Sequence, residues 1–329
     1  MGIWTAERNR TYKDSGGIRP VCIGEPLYKV CATLLNTLHK PSIAETLSPV
    51  NFGCGIKSGN DFAATSITSL LTDPVRQLCG MKEDVQNAFN SIERGYLLDR
   101  LYEVKALSNL WRLANWSYSE ASPVFVQDRD GTLLEVIQCS QGVKQGCPLA
   151  LTLFCVGFTP IIREAVKDHP TVIPIAVADD VTFSGPPDQV LEVSSAFNRL
   201  LSTAGLVSRP DKKVFVSLHP DAITEDVAKQ LEDQKVAVET DGFVFAGIPI
   251  AVSVTETSKL LTPVLHSVKD LLSLLAHPAM PKAVGYQLLQ QSANAKCINI
   301  ARCLRPQFCL PFAEEFDEQI LNTLQVLLG

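Results

Sequence analysis

The stretch IAVADDVTF, residues 175–183, decides the predicted fold. Apolar and β-branched residues on both sides of two adjacent aspartates predict two strands, at residues 171–177 and 181–184. Asp179 and Asp180 then lie at the tip of a hairpin, where neighbouring carboxylates repel each other unless a positive charge lies between them. Mg²⁺ is the simplest such charge, because it prefers oxygen ligands. A polar turn without a metal is the alternative interpretation, since Asp is common in turns.

Length and hydropathy indicate a soluble, intracellular protein with a sizeable core. The chain has 329 residues, of which 46% are apolar, and this allows one large domain or two to three subdomains. The stretch 252–275 is interrupted by Thr, Glu, Lys, His and Asp, so it does not predict a membrane span. Residues 1–20 lack the apolar core of a signal peptide. We therefore expect no membrane partner.

Charge and cysteine spacing argue against two classes of protein. The formal charge of −6 disfavours a protein whose whole surface binds nucleic acid, although it leaves room for a basic groove. None of the ten cysteines forms a Cys-x-x-Cys pair and the histidines are scattered, so a zinc module is not expected. The cysteines are interpreted as buried thiols in a reducing compartment.

A third carboxylate joins the pair. Asp84 ends a predicted strand at residues 80–85 and precedes a predicted helix at 92–104, about a hundred residues before the hairpin. A carboxylate at a strand end can meet a hairpin tip in an antiparallel sheet. Three converging carboxylates would bind two divalent ions, which stabilise the attacking and leaving oxygens in phosphoryl transfer.

The remaining pattern is mixed α/β up to about residue 252 and helical from residue 258 onward. A helix is predicted from Pro26 to His39, and one of its faces carries Leu27, Val30, Leu34 and Leu38. Residues 236–239 and 243–252 predict a hairpin around the turn Asp241-Gly242. The glycine-rich segment 51–60 is either a phosphate-binding loop or a plain one.

Seven segments between residues 19 and 250 carry motifs in a fixed order. They are RPV at 19–21, FGCG with a further glycine at 52–59, DVQNAFNSI at 84–92, GVKQGCPL at 142–149, VADD at 177–180, AGL at 204–206 followed by Lys212, and FAGIPI at 245–250. In this order and at these intervals they resemble the two fingers motifs, motifs A, B, C and D, and the primer-grip hairpin of reverse transcriptases. The resemblance is to enzymes of non-LTR (LINE-type) retrotransposons.

The resemblance implies an α+β, right-hand polymerase fold. Residues 1–79 would form the fingers and residues 80–252 a palm built on an antiparallel sheet, with fingers elements interleaved near 105–140. Residues 253–329 would form a helical, thumb-like region. The implied activity is RNA-directed DNA polymerisation, in which dNTPs are added to a DNA 3′-hydroxyl by two-metal phosphoryl transfer, for retrotransposition. The implied partners are an RNA template, a DNA primer and dNTPs, with an endonuclease or other retrotransposon domains supplied elsewhere.

The same resemblance assigns the catalytic and metal-binding residues. Asp84, Asp179 and Asp180, with the carbonyl of Val85, would hold two Mg²⁺ ions, with Mn²⁺ as a possible substitute. Lys212 matches the lysine that would protonate the leaving pyrophosphate. Its neighbour Lys213 is an equal alternative for that role.

A second group of residues would bind the incoming nucleotide. Phe89 would clash with a 2′-hydroxyl and so select a dNTP, although core packing of its ring is the alternative. Gln145 and Gly146 would line the nucleotide pocket beside the template base. Arg19 would pair with the triphosphate, unless it is a solvated surface residue. Lys57 would touch template phosphates.

The sequence departs from the family pattern at the centre of the site. Val177 replaces the usual aromatic residue of motif C, Asn51 stands where glutamine is common, and the motif D asparagine is replaced near 208–209. The alternative function is therefore a decayed or domesticated reverse-transcriptase-like protein that binds nucleic acid or partners without catalysis. An RNA-dependent RNA polymerase is a third interpretation, which Phe89 disfavours because such enzymes need room for the 2′-hydroxyl.

Overall fold

A computed structural model of the chain describes residues 4–12, 18–127, 130 and 132–329, with side chains described from Cys22 onward except at Pro220. The chain forms two compact units, residues 1–59 with 81–213 and residues 60–80 with 214–329. Within the described ranges, no helix is both long enough and apolar enough to cross a membrane. The fingers, palm and thumb boundaries given above stay predictions.

Strands and helices are interspersed up to residue 251, and among the described residues only helices follow. The strands are β1 (Trp4–Tyr12), β2 (Ile18–Gly24), β3 (Cys79–Glu83), β4 (Ser122–Gln127), β5 (Leu133–Cys139), β6 (Ile173–Val177), β7 (Asp180–Gly185), β8 (Val214–Val216), β9 (Ala237–Glu239), β10 (Gly242–Phe245) and β11 (Ile248–Ala251). The helices are α1 (Pro26–Leu38), α2 (Lys40–Leu47), α3 (Gly59–Leu71), α4 (Ala88–Ser91), α5 (Arg94–Glu103), α6 (Ser108–Tyr118), α7 (Ala150–Ala165), α8 (Pro187–Leu201), α9 (Glu225–Asp233), α10 (Val254–Leu275), α11 (Lys282–Leu288), α12 (Ile298–Cys303) and α13 (Pro306–Leu328).

The first unit contains a four-stranded sheet in the order β2-β1-β4-β5. Strand β1 pairs antiparallel with β2 and parallel with β4, while β4 and β5 form an antiparallel hairpin. Helix α1 follows β2 in the chain. Glu25 caps its N-terminus by accepting hydrogen bonds from the N–H groups of Leu27 and Tyr28. The predicted apolar face of α1 is exposed, whereas Tyr28 and Ala32 are buried.

The predicted aspartate hairpin forms in the same unit. Strands β6 and β7 pair antiparallel, with Val177 opposite Asp180, and β3 is the next strand beside β7. Helix α7 is buried along most of its length because its sequence is apolar on nearly every side. The ring of Phe158 packs 5.9 Å from that of Phe197 on α8, which in turn packs 5.3 Å from Phe183 on β7. These ring contacts anchor β7 of the hairpin to helices α7 and α8.

The second unit corrects one prediction. Strand β9 pairs parallel with β8, and the hairpin is formed by β10 and β11 around Ala246-Gly247. The hairpin predicted around Asp241-Gly242 is therefore wrong. Ala246 and Gly247 have φ values of +48° and +80°, the left-handed conformation that a two-residue hairpin turn requires. The predicted single strand 243–252 is thus two short strands.

Helices α10 to α13 confirm the predicted helical C-terminal region. Their apolar side chains form one buried cluster, which includes Leu261, Leu272, Leu289, Phe312 and Phe316. Such burial, rather than intrinsic propensity, is what stabilises helices of this length in water.

Candidate active site

The hairpin turn presents two aspartates at the end of β6 and the start of β7. Ala178 and Asp179 form the turn, and Asp180 is the first residue of β7. Burial raises the pKa of Asp180, and the negative charge of Asp84 raises it further, whereas Lys82 and Lys212 lower it. Asp84 and Asp180 are therefore close enough for their charges to interact, and their predicted convergence on metal ions stays a prediction.

Asp179 lies on the side of the turn near α7. Burial raises the pKa of the Cys155 thiol on α7, with smaller contributions from Cys54 and from the charge of Asp179. Both Asp179 and Asp180 are half-buried. Among the described residues, no group of three or more His, Cys, Asp and Glu side chains is arranged to hold one metal ion.

Asp84 lies directly after β3, and two positively charged side chains lie close to its carboxylate. Its Oδ2 atom is 3.6 Å from the ammonium of Lys212 and 3.9 Å from Nε of Arg209. The backbone N–H of Arg209 donates a 2.9 Å hydrogen bond to the carbonyl of Asp84, and the neighbouring Val85 pairs with Ser208. Motifs A and D are therefore held together by their backbones, and the side chain of Val85 is buried.

The two lysines left open by the sequence are in different environments. Lys212 is 55% exposed beside Asp84. Lys213 is buried, with its ammonium 3.2 Å from Glu83 and donating a 2.8 Å hydrogen bond to Ser194. Burial raises the pKa of Glu83, and Lys213 and Ser194 counteract this. Only Lys212 of the two therefore faces the predicted catalytic aspartate.

Three of the predicted nucleotide-binding residues, Phe89, Gln145 and Gly146, lie in or beside the loop before α7. The ring of Phe89 stacks on that of Phe154, with centroids 4.4 Å apart, so the predicted steric residue is also packed against the core. The side-chain amide of Gln145 donates a 3.4 Å hydrogen bond to Asn90, and Gly146 is exposed with a φ of +102°. The structure thus brings motif B residues next to motif A.

A glycine makes this approach possible. A Cβ atom on Gly142 would lie 2.4 Å from the carbonyl group of Asn90, and the φ of Gly142 is +68°. Any other residue would separate the two motifs or strain the backbone. The N–H of Val143 donates a 2.7 Å hydrogen bond to the carbonyl of Phe89, which fixes their register.

Two buried cations that the sequence did not single out anchor the motif B loop. Arg94 donates to the carbonyls of Gly142 and Cys139 at 2.9 and 2.7 Å. Lys144 donates to the carbonyl of Ser117 at 2.8 Å, and its ammonium lies 4.7 Å from the ring centroid of Tyr118. Burial and, to a smaller extent, the charge of Arg94 lower the pKa of Lys144 to about 8. The position of Lys144 within motif B, between Val143 and Gln145, is the sequence signal that was available for it.

Two further predicted residues are not tested by these contacts. Arg19 belongs to β2, but its side chain lies outside the described side chains, so its predicted pairing with a triphosphate stays a prediction. Lys57 is exposed, and its predicted contact with template phosphates also stays a prediction.

Comparison with known proteins identifies relatives in sequence and in structure. The family model described as reverse transcriptase (RNA-dependent DNA polymerase) matches residues 11–250. The chain is 25% identical over 256 residues to the retrotransposable element SLACS 132 kDa protein of Trypanosoma brucei gambiense, a match that covers 70% of this chain and 20% of that protein. This chain thus spans about a fifth of the length of that relative.

The fold resembles that of telomerase. The telomerase of Candida albicans, solved with a fragment of telomeric RNA, matches 98% of this chain and 59% of its own, with a TM-score of 0.51 and 13% identity. The apo telomerase of Candida tropicalis matches 95% of this chain and 60% of its own, with a TM-score of 0.52 and 10% identity. At this identity the likeness concerns the fold, and it confirms the predicted α+β polymerase fold.

The family match covers most of the chain and includes all five predicted polymerase motifs as well as both fingers motifs. The retrotransposon relative agrees with the predicted non-LTR resemblance. The chain therefore belongs to the reverse transcriptase (RNA-dependent DNA polymerase) family, whose members are nucleotidyltransferases.

Proposed function

We propose that this chain copies an RNA template into DNA by adding dNTPs to a DNA 3′-hydroxyl, as the polymerase of a retrotransposon. The observation that carries the proposal is the proximity of Asp84 and Asp180 to each other and of Lys212 to Asp84. An endonuclease or other retrotransposon domains would be supplied elsewhere.

The charge distribution at the hairpin fits divalent metal ions. Burial and the negative charge of Asp84 raise the pKa of Asp180, although Lys82 and Lys212 lower it, and a cation near the two carboxylates would favour their charged forms. We infer that Asp84, Asp179, Asp180 and the carbonyl of Val85 would hold two Mg²⁺ ions, with Mn²⁺ as a substitute. When bound, such ions stabilise charge on the attacking and leaving oxygens of phosphoryl transfer.

Lys212 is the side chain best suited to the leaving group. Its side chain is 55% exposed and its ammonium lies 3.6 Å from Asp84, so it can reach a phosphate bound at the aspartates. A proton donated by Lys212 would neutralise the leaving pyrophosphate. The buried pairing of Lys213 with Glu83 leaves that lysine unsuited to the same role.

The residues of motifs A and B would select the nucleotide. Phe89, braced by Phe154, would exclude a 2′-hydroxyl because a stacked ring cannot easily move aside. Gly146, exposed at the loop, would let the backbone approach the base closely, while Gln145 lines the same pocket. Arg19 would bind the triphosphate.

Primer extension on an RNA template with Mg²⁺ tests the proposal. We expect extension with dNTPs, much weaker extension with rNTPs, and none with Asp179→Ala. The variant Asp99→Ala, at an exposed aspartate on α5, is the matched control and is expected to extend normally. Binding of primer-template without extension would support the alternative, a protein that binds nucleic acid without catalysis. Extension by rNTPs alone would contradict the role given to Phe89.

A further inference from the structure

The side chain of Asn51 is bonded to the turn that carries the aspartates. Asn51 is completely buried. Its Oδ1 atom accepts a 3.2 Å hydrogen bond from the N–H of Ala178, and its Nδ2 atom donates a 3.1 Å hydrogen bond to the carbonyl of Ala178. Oδ1 also accepts a 3.0 Å bond from the N–H of Gly53. One carboxamide therefore satisfies both backbone groups of Ala178.

Ala178 needs this support because of its conformation. Its φ is +57°, and the left-handed region costs a residue with a Cβ atom roughly 1–2 kcal/mol. Ala178 directly precedes Asp179 and lies two residues before the start of β7. If Ala178 relaxed to a negative φ, the directions of both aspartates would change.

The backbone around Asn51 fits the same purpose. The N–H of Phe52 donates to the carbonyl of Ala176 at 2.8 Å, and the N–H of Ala176 donates to the carbonyl of Val50 at 2.8 Å. A Cβ atom on Gly53 would lie 2.4 Å from the nitrogen of Ala178. Residues 50–53 thus run directly along β6, and only glycine fits where they reach the turn.

We propose that Asn51 is a positioning residue for the polymerase reaction, which holds Ala178 in its left-handed conformation and thereby aims Asp179 and Asp180. The catalytic part of this inference rests on the proposed function, whereas the contact with Ala178 does not.

Substitutions at both ends of the contact test the inference. In Asn51→Ala, we expect protection of the Ala178 amide from hydrogen exchange to fall about tenfold, as for the loss of one to two hydrogen bonds. Mn²⁺ affinity of the protein without nucleic acid, followed by electron paramagnetic resonance, and kcat for primer extension should each fall about tenfold as well. KM for primer-template should not change.

The variant Ala178→Gly supplies the decisive comparison. Glycine adopts a positive φ without steric cost, so the losses of Mn²⁺ affinity and of kcat caused by Asn51→Ala should shrink to about threefold in the Ala178→Gly background. Losses of equal size in both backgrounds would overturn the inference. So would a fall in activity and Tm with the Ala178 amide still protected.

Control variants separate positioning from folding. Asn36→Ala removes a half-buried asparagine that bonds Pro148 and Thr152; it should lower Tm without changing Mn²⁺ affinity. If Asn51→Ala does not fold, Asn51→Asp keeps the shape and the acceptor but loses the donor to Ala178, and the same readouts apply. A wild type that extends no primer would contradict the proposed function, while exchange and Mn²⁺ binding would still decide the role of Asn51.

Discussion

Two acid–lysine pairs lie on the same two segments but in opposite environments. Glu83 and Lys213 are 0% and 9% exposed with a 3.2 Å separation, whereas Asp84 and Lys212 are 28% and 55% exposed with a 3.6 Å separation. Glu83 is the last residue of β3 and Asp84 follows it, so their side chains point in opposite directions as in an extended chain. One pair therefore enters the core and the other faces solvent. Residues that are adjacent in sequence therefore have different roles. The buried pair is expected to contribute to stability, and the exposed pair to the proposed chemistry.

A substitution in the exposed pair of Asp84 and Lys212 is expected to have the largest effect on activity. In Asp84→Asn we expect kcat for primer extension to fall about 10⁴-fold, because a metal-binding carboxylate contributes several kcal/mol to the transition state. The free energy of unfolding should change little, since exposed ion pairs contribute at most about 1 kcal/mol. Urea denaturation and single-nucleotide extension measure the two quantities. A variant that keeps its activity would remove Asp84 from the site.

Breaking the inner pair should do the reverse. Lys213→Met leaves Glu83 buried without its cation, which we expect to lower the free energy of unfolding by about 3–5 kcal/mol. The double variant Glu83→Leu with Lys213→Met should recover most of this loss, since a hydrophobic pair of similar volume is often neutral. Lys269→Met, which breaks an exposed 2.7 Å pair with Glu315, is the control and should cost less than about 1 kcal/mol. Equal losses in Lys213→Met and Lys269→Met would contradict the comparison.

Lys144, a second buried lysine, donates hydrogen bonds to neutral oxygens. Burial lowers the pKa of Lys144 from 10.5 to about 8. A lowered pKa gives stability that is present above the unfolded value and is lost as the pH falls through about 8. Relative to Lys144→Met, the wild type should therefore gain up to roughly 3 kcal/mol between about pH 8 and about pH 10.5. Urea denaturation at several pH values measures this gain.

The exposed Lys229 provides the control for this titration. Lys229→Met should show a stability difference from the wild type that does not vary across the same pH range. If the curves for Lys144→Met and the wild type run parallel, Lys144 keeps its proton in the folded state and the expected shift is wrong.

The sequence predicted what is local and missed what depends on distant contacts. The aspartate hairpin was predicted because its β-branched strands and polar turn lie within about a dozen residues. The hairpin around Asp241-Gly242 was wrong because Asp-Gly is a strong turn signal, yet β9 pairs with β8 instead. A parallel partner more than twenty residues away leaves no local pattern.

The same limit applies to the site. Its acidic residues could be read from motif order, but the choice between Lys212 and Lys213 could not. The short 3₁₀ turn Pro210–Lys212 interrupts the alternation just before the strand, so only the folded chain shows which lysine is buried. Arg94 was missed because its partners include carbonyls between 26 and 48 residues away, and backbone carbonyls have no sequence signature.

Lys212→Met tests whether Lys212 has a chemical role that Lys213 lacks, and it is expected to have the smallest effect of these substitutions. We expect kcat for primer extension to fall about 10²-fold, the lower range for a general acid, while the free energy of unfolding changes by less than about 0.5 kcal/mol. Lys105→Met, at another exposed lysine of the same unit, should change neither quantity. A rate loss in Lys212→Met that comes only from a higher KM for dNTP would indicate phosphate binding without proton transfer. Lys212 would then bind the substrate without donating a proton, while Lys213 would still have only a structural role.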